Sequence, residues 1–163
     1  MNIRLGHAAG LRKNPMADHQ SGATGGVEIV YDSTLESVDA AESLALDVAK
    51  TAGFHEEEDL HKIGMAVREA TVNAVVHGNR YSLKKKVHFS VAPVGESLVV
   101  TIADEGEGFE PSELPDPLSE ENLLRQSGRG LLLIKAFVDE FEMRKALPLG
   151  TEVRLVFHRS AEV

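Results

Sequence analysis

The sequence predicts an α+β fold, a two-layer sandwich whose mixed, mostly antiparallel sheet carries the helices on one face. Three observations predict it. Strand and helix periodicities follow one another in the order β-α-α-β-β-loop-α-β-β. The last four strands come as two pairs, each joined by a short turn that contains Pro and Gly. The first two helices each carry an apolar stripe that has to be buried, and helices beside runs of antiparallel strands form two layers. With 163 residues the chain holds one domain with a full core and is too short for two ordinary ones.

Residues 1–26 contain five glycines, no aromatic and no sustained apolar period, which reads as a disordered N-terminal extension before a domain spanning 27–160. Met16 lies inside this stretch and offers an alternative start. Val27-Glu-Ile29-Val-Tyr31 alternates as a strand does. Ser37 or Asp39 can cap a helix that runs to about Ala52 and closes at Gly53, with Val38, Ala41, Leu44, Ala45 and Val48 at helical spacing. A second helix is expected from Glu57 to Val76, with Leu60, Ile63, Val67, Ala70 and Ala74 in one stripe and Gly78-Asn79 ending it.

Lys86 to Ala92 and Ser97 to Ala103 read as a hairpin turning at Pro93-Val-Gly-Glu96. Glu110 to Ser127 holds three prolines and five acids, so it is a loop with one helical turn near Glu120–Leu124; loops this long in small domains are usually functional. Leu131 to Val138 is a short apolar helix. Glu140 to Lys145 and Thr151 to His158 are the last strands, turning at Leu147-Pro-Leu-Gly150.

Composition excludes several classes of function. There are 17 basic and 26 acidic residues, a net charge of -9, so no basic excess is present to neutralise a nucleic acid. A small phosphate ligand remains compatible, because backbone N–H groups and Mg2+ can carry that charge. The absence of Cys removes disulfides, thiolate metal sites and Cys nucleophiles. No apolar run reaches the roughly 18 residues of a membrane span. Arg4, Arg12 and Lys13 precede no apolar signal region, so a cytoplasmic location is expected.

Four short motifs carry the chemistry. In Glu69-Ala-Thr-Val-Asn73 an acid and an amide share one helix face; the carboxylate can act as a base and the amide oxygen can bind Mg2+. Asp104-Glu-Gly106-Glu-Gly108 follows a strand, and a carboxylate there can accept from the exocyclic amine of adenine while the glycines let backbone approach a ligand. Gly128-Arg129-Gly130 feeds a helix N-terminus, whose free N–H groups and dipole suit phosphate, with Arg129 adding charge-assisted bonds. Gly150-Thr151 opens the last strand with a hydroxyl that can reach adenine. Each alone also describes an ordinary turn or solvated face; in this order they read as a nucleotide site. The third is neither a Walker A loop, lacking Gly-Lys-Ser/Thr, nor a Rossmann fingerprint, lacking a parallel βαβ unit. His77, the Lys84-Lys-Lys86 run and His55-Glu-Glu-Glu-Asp59 read as a helix end, a solvated loop and an acidic helix start.

These residues resemble the GHKL ATPases, the group containing histidine-kinase catalytic domains, gyrase B and MutL. Glu69-x-x-x-Asn73 resembles their N box. Asp104-x-Gly106-x-Gly108 and Gly128-x-Gly130 resemble their two glycine boxes, and Gly150-Thr151 the threonine motif that follows. Arg68-Glu-Ala-Thr-Val-Asn-Ala-Val-Val-His-Gly78 is most similar to the anti-sigma-factor serine-protein kinases within that group. The resemblance implies a Bergerat ATP-binding fold. It implies ATP and Mg2+ as ligands, with Asn73 on the metal, Glu69 as the base that takes a serine proton, and Asp104 with Thr151 on adenine. Gly106 and Gly108 would floor the base pocket, Gly128 to Gly130 would hold phosphates, and Glu110–Ser127 would be a lid. It implies phosphoryl transfer to a serine on a STAS-domain anti-anti-sigma partner, and partner surfaces on the first helix for a sigma factor and for a second copy of the chain. A nucleotide-gated regulator that binds its partner without transferring phosphate is the second reading. A detached histidine-kinase catalytic domain is the third.

Overall fold

The structure is a computed structural model that describes residues 4–5, 25–108 and 130–161. Alternation decides the inner face of each strand. In Val27–Asp32 (β2) Ile29 and Tyr31 point inward, and in Lys86–Val94 (β3) Val87, Phe89 and Val91 do. Leu98, Val100 and Ile102 follow in Ser97–Ala103 (β4), and Leu155 and Phe157 in Thr151–His158 (β6). A shorter strand, Glu140–Lys145 (β5), precedes β6. Arg4–Leu5 (β1) pairs with Val30 and Ile29 of β2, a two-residue strand inside the stretch that the sequence reads as an extension without structure.

The sheet order is β1-β2-β3-β4-β6-β5, and all five ladders are antiparallel. The expected mixed sheet is therefore corrected for the described residues. β4 and β5 do run in the same direction, but β6 lies between them and pairs antiparallel with both.

The helices Leu35–Thr51 (α1), Glu57–Val72 (α2) and Gly130–Phe137 (α3) cover one face of the sheet. The core between layers joins Val38, Ala41 and Ala45 of α1 and Ile63, Ala66, Val67 and Ala70 of α2 to the inward strand residues. α1 starts earlier than expected. Its cap is Thr34, whose hydroxyl accepts from Ser37 N at 3.3 Å; Ser37 is buried one turn in, its hydroxyl 3.0 Å from that of Thr34. Neither Ser37 nor Asp39 caps it, because the extended residue ahead of the helix is Thr34.

α2 also departs from expectation. Regular helix ends at Val72 and a wider π-helical turn runs over Asn73–Gly78, closed by Asn79 N donating to Ala74 O at 2.8 Å. The cause is tertiary. Asn79 is buried and its side chain donates to Ser33 Oγ at 2.9 Å and Lys86 O at 3.0 Å, and accepts from Glu105 N at 2.8 Å. Those three bonds tie the end of the helix to the turn between β2 and α1, to β3 and to the segment after β4, and the extra residue per turn absorbs the mismatch. At the other end of the domain, the buried Asp59 accepts from Ser160 N at 2.9 Å and Ser160 Oγ at 2.7 Å, which fastens the chain after β6 to α2.

Candidate functional site

A cavity of about 350 Å³ opens where the end of α2, the start of α3 and the ends of β4 and β6 converge. Its volume is that of a small-molecule site, and its walls have the usual mixture for one. Ile102, Leu131, Ile134, Met143 and Val153 supply an apolar floor. Asn73, His77, Asp104 and Thr151 supply polar groups, and Arg80, Lys85 and Glu107 supply charge.

Asp104 is the most constrained of these. It is only 7% exposed. Its Oδ1 accepts from Gly106 N at 2.9 Å and Thr151 N at 3.2 Å, and Asp104 N donates to Thr151 O at 2.9 Å. Both side-chain bonds fall on Oδ1; Oδ2 lies against Gly78 and takes no hydrogen bond from the described residues. Burial pushes this carboxyl above the ordinary carboxylate range, against the downward pull of the Gly106 and Thr151 N–H groups and the Lys85 charge.

Gly78, the last residue of the π-helical turn, lies against that carboxylate. A Cβ there would overlap the carboxyl group and stand 2.9 Å from Asp104 Cβ. Gly106 in turn packs on the Gly78 backbone, where a Cβ would come 2.7 Å from its carbonyl carbon. The helix end and the strand end can meet this closely only because neither residue has a side chain.

The sequence-predicted residues divide as follows. Asn73, Asp104, Gly108 and Thr151 line one cavity. Gly106 is buried behind Asp104 and holds its Oδ1 through its N–H. Glu69 does not line the cavity; it sits one turn before Asn73, beside the start of α3. A Cβ on Gly130 would stand 3.3 Å from both Glu69 Oε2 and Asn73 Oδ1, so the acid, the amide and this helix N-terminus are neighbours. Gly128, Arg129, the Glu110–Ser127 loop and the helical turn expected at Glu120–Leu124 lie outside the described residues.

For Mg2+, the available donors are the Asn73 amide oxygen and the Glu69 carboxylate, both hard oxygens. Among the described residues no group of three or more His, Asp or Glu could hold a metal. The Asn73 oxygen fits a cation that takes one or two protein oxygens and completes its shell from phosphate and water, which leaves the Glu69 carboxylate free to act as a base. Asn79 and Glu105 were not legible as site residues. Glu105 accepts from Lys86 N at 2.6 Å and pairs with His88 at 2.9 Å, fixing the segment that presents Asp104. Burial pushes Glu105 up, but those bonds outweigh it and hold its carboxyl below the usual value. No helix among the described residues is long and apolar enough to cross a membrane.

The sequence profile of the family described as histidine kinase-like ATPase domain matches residues 31–157. The chain is 32% identical over 105 residues to the anti-sigma F factor of Bacillus subtilis, covering 63% of this chain and 72% of that one. It is 32% identical over 105 residues to the anti-sigma F factor of Bacillus velezensis, with the same coverage. The anti-sigma F factor of Anoxybacillus flavithermus is 33% identical over 103 residues, covering 62% of this chain and 70% of its own.

Proposed function

The chain belongs to the histidine kinase-like ATPase domain family, and from that premise we propose that it is an ATP-dependent serine-protein kinase and anti-sigma regulator. It acts in the cytoplasm, and its phosphoryl acceptor is a serine on a STAS-domain anti-anti-sigma protein. The observation that carries the nucleotide part is the held carboxylate of Asp104, with one oxygen tied to backbone and the other taking no hydrogen bond from the described residues. The names of the similar proteins support the anti-sigma part.

In this reading Asp104 Oδ2 accepts from the exocyclic amine of adenine, with Thr151 beside it. Ile102, Met143 and Val153 exclude water from the base. Asn73 holds Mg2+, which when bound offsets the charge of the phosphates. Gly128 to Gly130 and the start of α3 bind the phosphates through N–H groups and the helix dipole, with Arg129 adding charge. Glu69 takes the proton of the acceptor serine as the serine oxygen bonds to the γ-phosphorus. The bond from that phosphorus to the β–γ bridging oxygen breaks, and ADP leaves with the electron pair. Such transfer is mostly positioning and charge stabilisation, so few side chains are required.

The position of Glu69 favours transfer over binding alone. A pure binder needs the amide of Asn73 alone, whereas transfer also needs a base, and Glu69 stands one turn before Asn73, against the start of α3. The second reading, a nucleotide-gated regulator that sequesters a sigma factor without phosphorylating anything, rests on the family's regulatory relatives. Binding of ATP with Mg2+ by the wild-type chain, and its loss in Asn73→Ala, is the expected result. Unchanged Mg2+-dependent affinity in that variant would remove the assigned role of Asn73.

A further inference from the structure

Two cations on the cavity wall have no task in that scheme. Arg80 and Lys85 both line the cavity that contains Asp104 and Thr151. Several other cations of the described residues are paired away from it: Lys62 with Glu58, Arg68 with Asp39 and Glu42, Lys86 with Asp32, Arg144 with Glu152 and Arg159 with Glu96. Among the described residues neither Arg80 nor Lys85 forms an ion pair.

The segment that carries them is held in place. Arg80 has φ of 50° and Tyr81 φ of 57°, two consecutive residues in left-handed backbone that non-glycine residues rarely adopt. Tyr81 N donates to Val75 O at 2.9 Å, Ser82 N to Asn79 O at 3.0 Å and Lys85 N to Ser82 O at 3.1 Å. Ser33 Oγ donates to Lys85 O at 2.6 Å. Backbone strain retained by so many bonds is typical of ligand clamps.

Charge gives the pair a task. Asp104 and Glu107 line the same cavity, in a chain of net charge -9. Without cations on its wall the cavity would repel a polyanion, and the Lys85 charge already acts on the Asp104 carboxyl.

We infer that Arg80 and Lys85 form a cationic rim that binds the sugar-phosphate part of the nucleotide, so that the chain takes nucleotides over nucleosides. The inference rests on the nucleotide reading of the cavity. The test uses the full chain, with ATP, ADP and adenosine titrated separately by calorimetry. Lys85→Gln removes one charge. Arg80→Asn removes the other with a residue that tolerates left-handed backbone, and a thermal melt checks each fold. ATP and ADP affinity should fall about tenfold in each variant, the equivalent of one charge-assisted bond. Adenosine affinity should hold, and Lys85→Arg should retain ATP affinity. Equal ATP affinity in the folded double variant, or a parallel loss for adenosine, overturns the rim. Failure of the wild-type chain to bind either ligand overturns the nucleotide reading, and the rim with it.

Discussion

Replacing Gly78 by Ala should destabilise the fold, although helix propensity alone predicts the reverse. Gly78 lies at a helix end with φ outside the left-handed region, and there Ala is ordinarily favoured over Gly by roughly 0.5–1 kcal/mol. Here the added Cβ overlaps the Asp104 carboxylate and stands 2.9 Å from Asp104 Cβ, so rotating the carboxyl group alone gives no relief. Asp104 has to move as a whole, and its bonds from Gly106 N at 2.9 Å and Thr151 N at 3.2 Å go with it. Hydrogen bonds to a charged group contribute about 1.5–3 kcal/mol each. After the propensity gain and partial relaxation, a net loss of about 3 kcal/mol remains. For a domain of this size that lowers Tm by roughly 6–12 °C. Gly64→Ala is the internal control. It sits inside α2, and its Cβ would meet only side-chain ends, Glu42 Oε1 at 3.3 Å and Leu46 Cδ1 at 3.7 Å, so stability should stay level or rise. Urea titrations of the three proteins give the comparison. Equal stability of Gly78→Ala and wild type would refute the claim that the helix end and the strand end are locked together through Asp104.

Other outcomes follow from the same geometry. Asp104→Asn should abolish adenine recognition while leaving the empty fold at least as stable at pH 7. The folded carboxyl titrates above its unfolded value, so its stabilising contribution is complete below the unfolded value and lost as pH rises through the folded one. For the same reason adenosine, which carries no phosphate to titrate, should lose affinity on acidification at a pH above the ordinary carboxylate range; titrations between pH 7.5 and 4.5 read this directly. Thr34→Ala removes the cap of α1 and should cost about 1 kcal/mol in urea unfolding, where Asp39→Ala should not act through capping. Asp59→Ala frees Ser160 N and Oγ and should speed hydrogen exchange at the C-terminal segment while ATP affinity holds.

Much of the fold was legible in the sequence because burial here follows simple periods. Glu140–Lys145 and Thr151–His158 coincide with the expected strands, and α3 differs from expectation by one residue at each end. What escaped is what depends on distant partners. The widened turn at Asn73–Gly78 exists because Asn79 bonds to Ser33, Lys86 and Glu105, three positions that no local pattern connects to it. The Lys84-Lys-Lys86 run reads as one solvated stretch, yet Lys84 is exposed, Lys85 lines the cavity and Lys86 pairs with Asp32. Spacing of four placed Glu69 beside Asn73, but it could not show that only Asn73 lines the cavity while Glu69 stands against Gly130. The close contact of Gly78 with Gly106 was equally hidden, since a helix-ending glycine and a turn glycine look alike in sequence wherever they meet.

Phosphoryl transfer by Glu69 is the centre of the account, and one measurement reaches it. The wild-type chain and Glu69→Gln are each incubated with γ-labelled ATP, Mg2+ and a STAS-domain protein shown to bind the chain, with ATP affinity measured in parallel. The account predicts a labelled serine on the partner with wild type, no label with Glu69→Gln, and ATP affinity within about threefold between them, less than 1 kcal/mol. Label transfer at the wild-type rate by Glu69→Gln, or no label from a wild-type chain that binds both ATP and the partner, would contradict it.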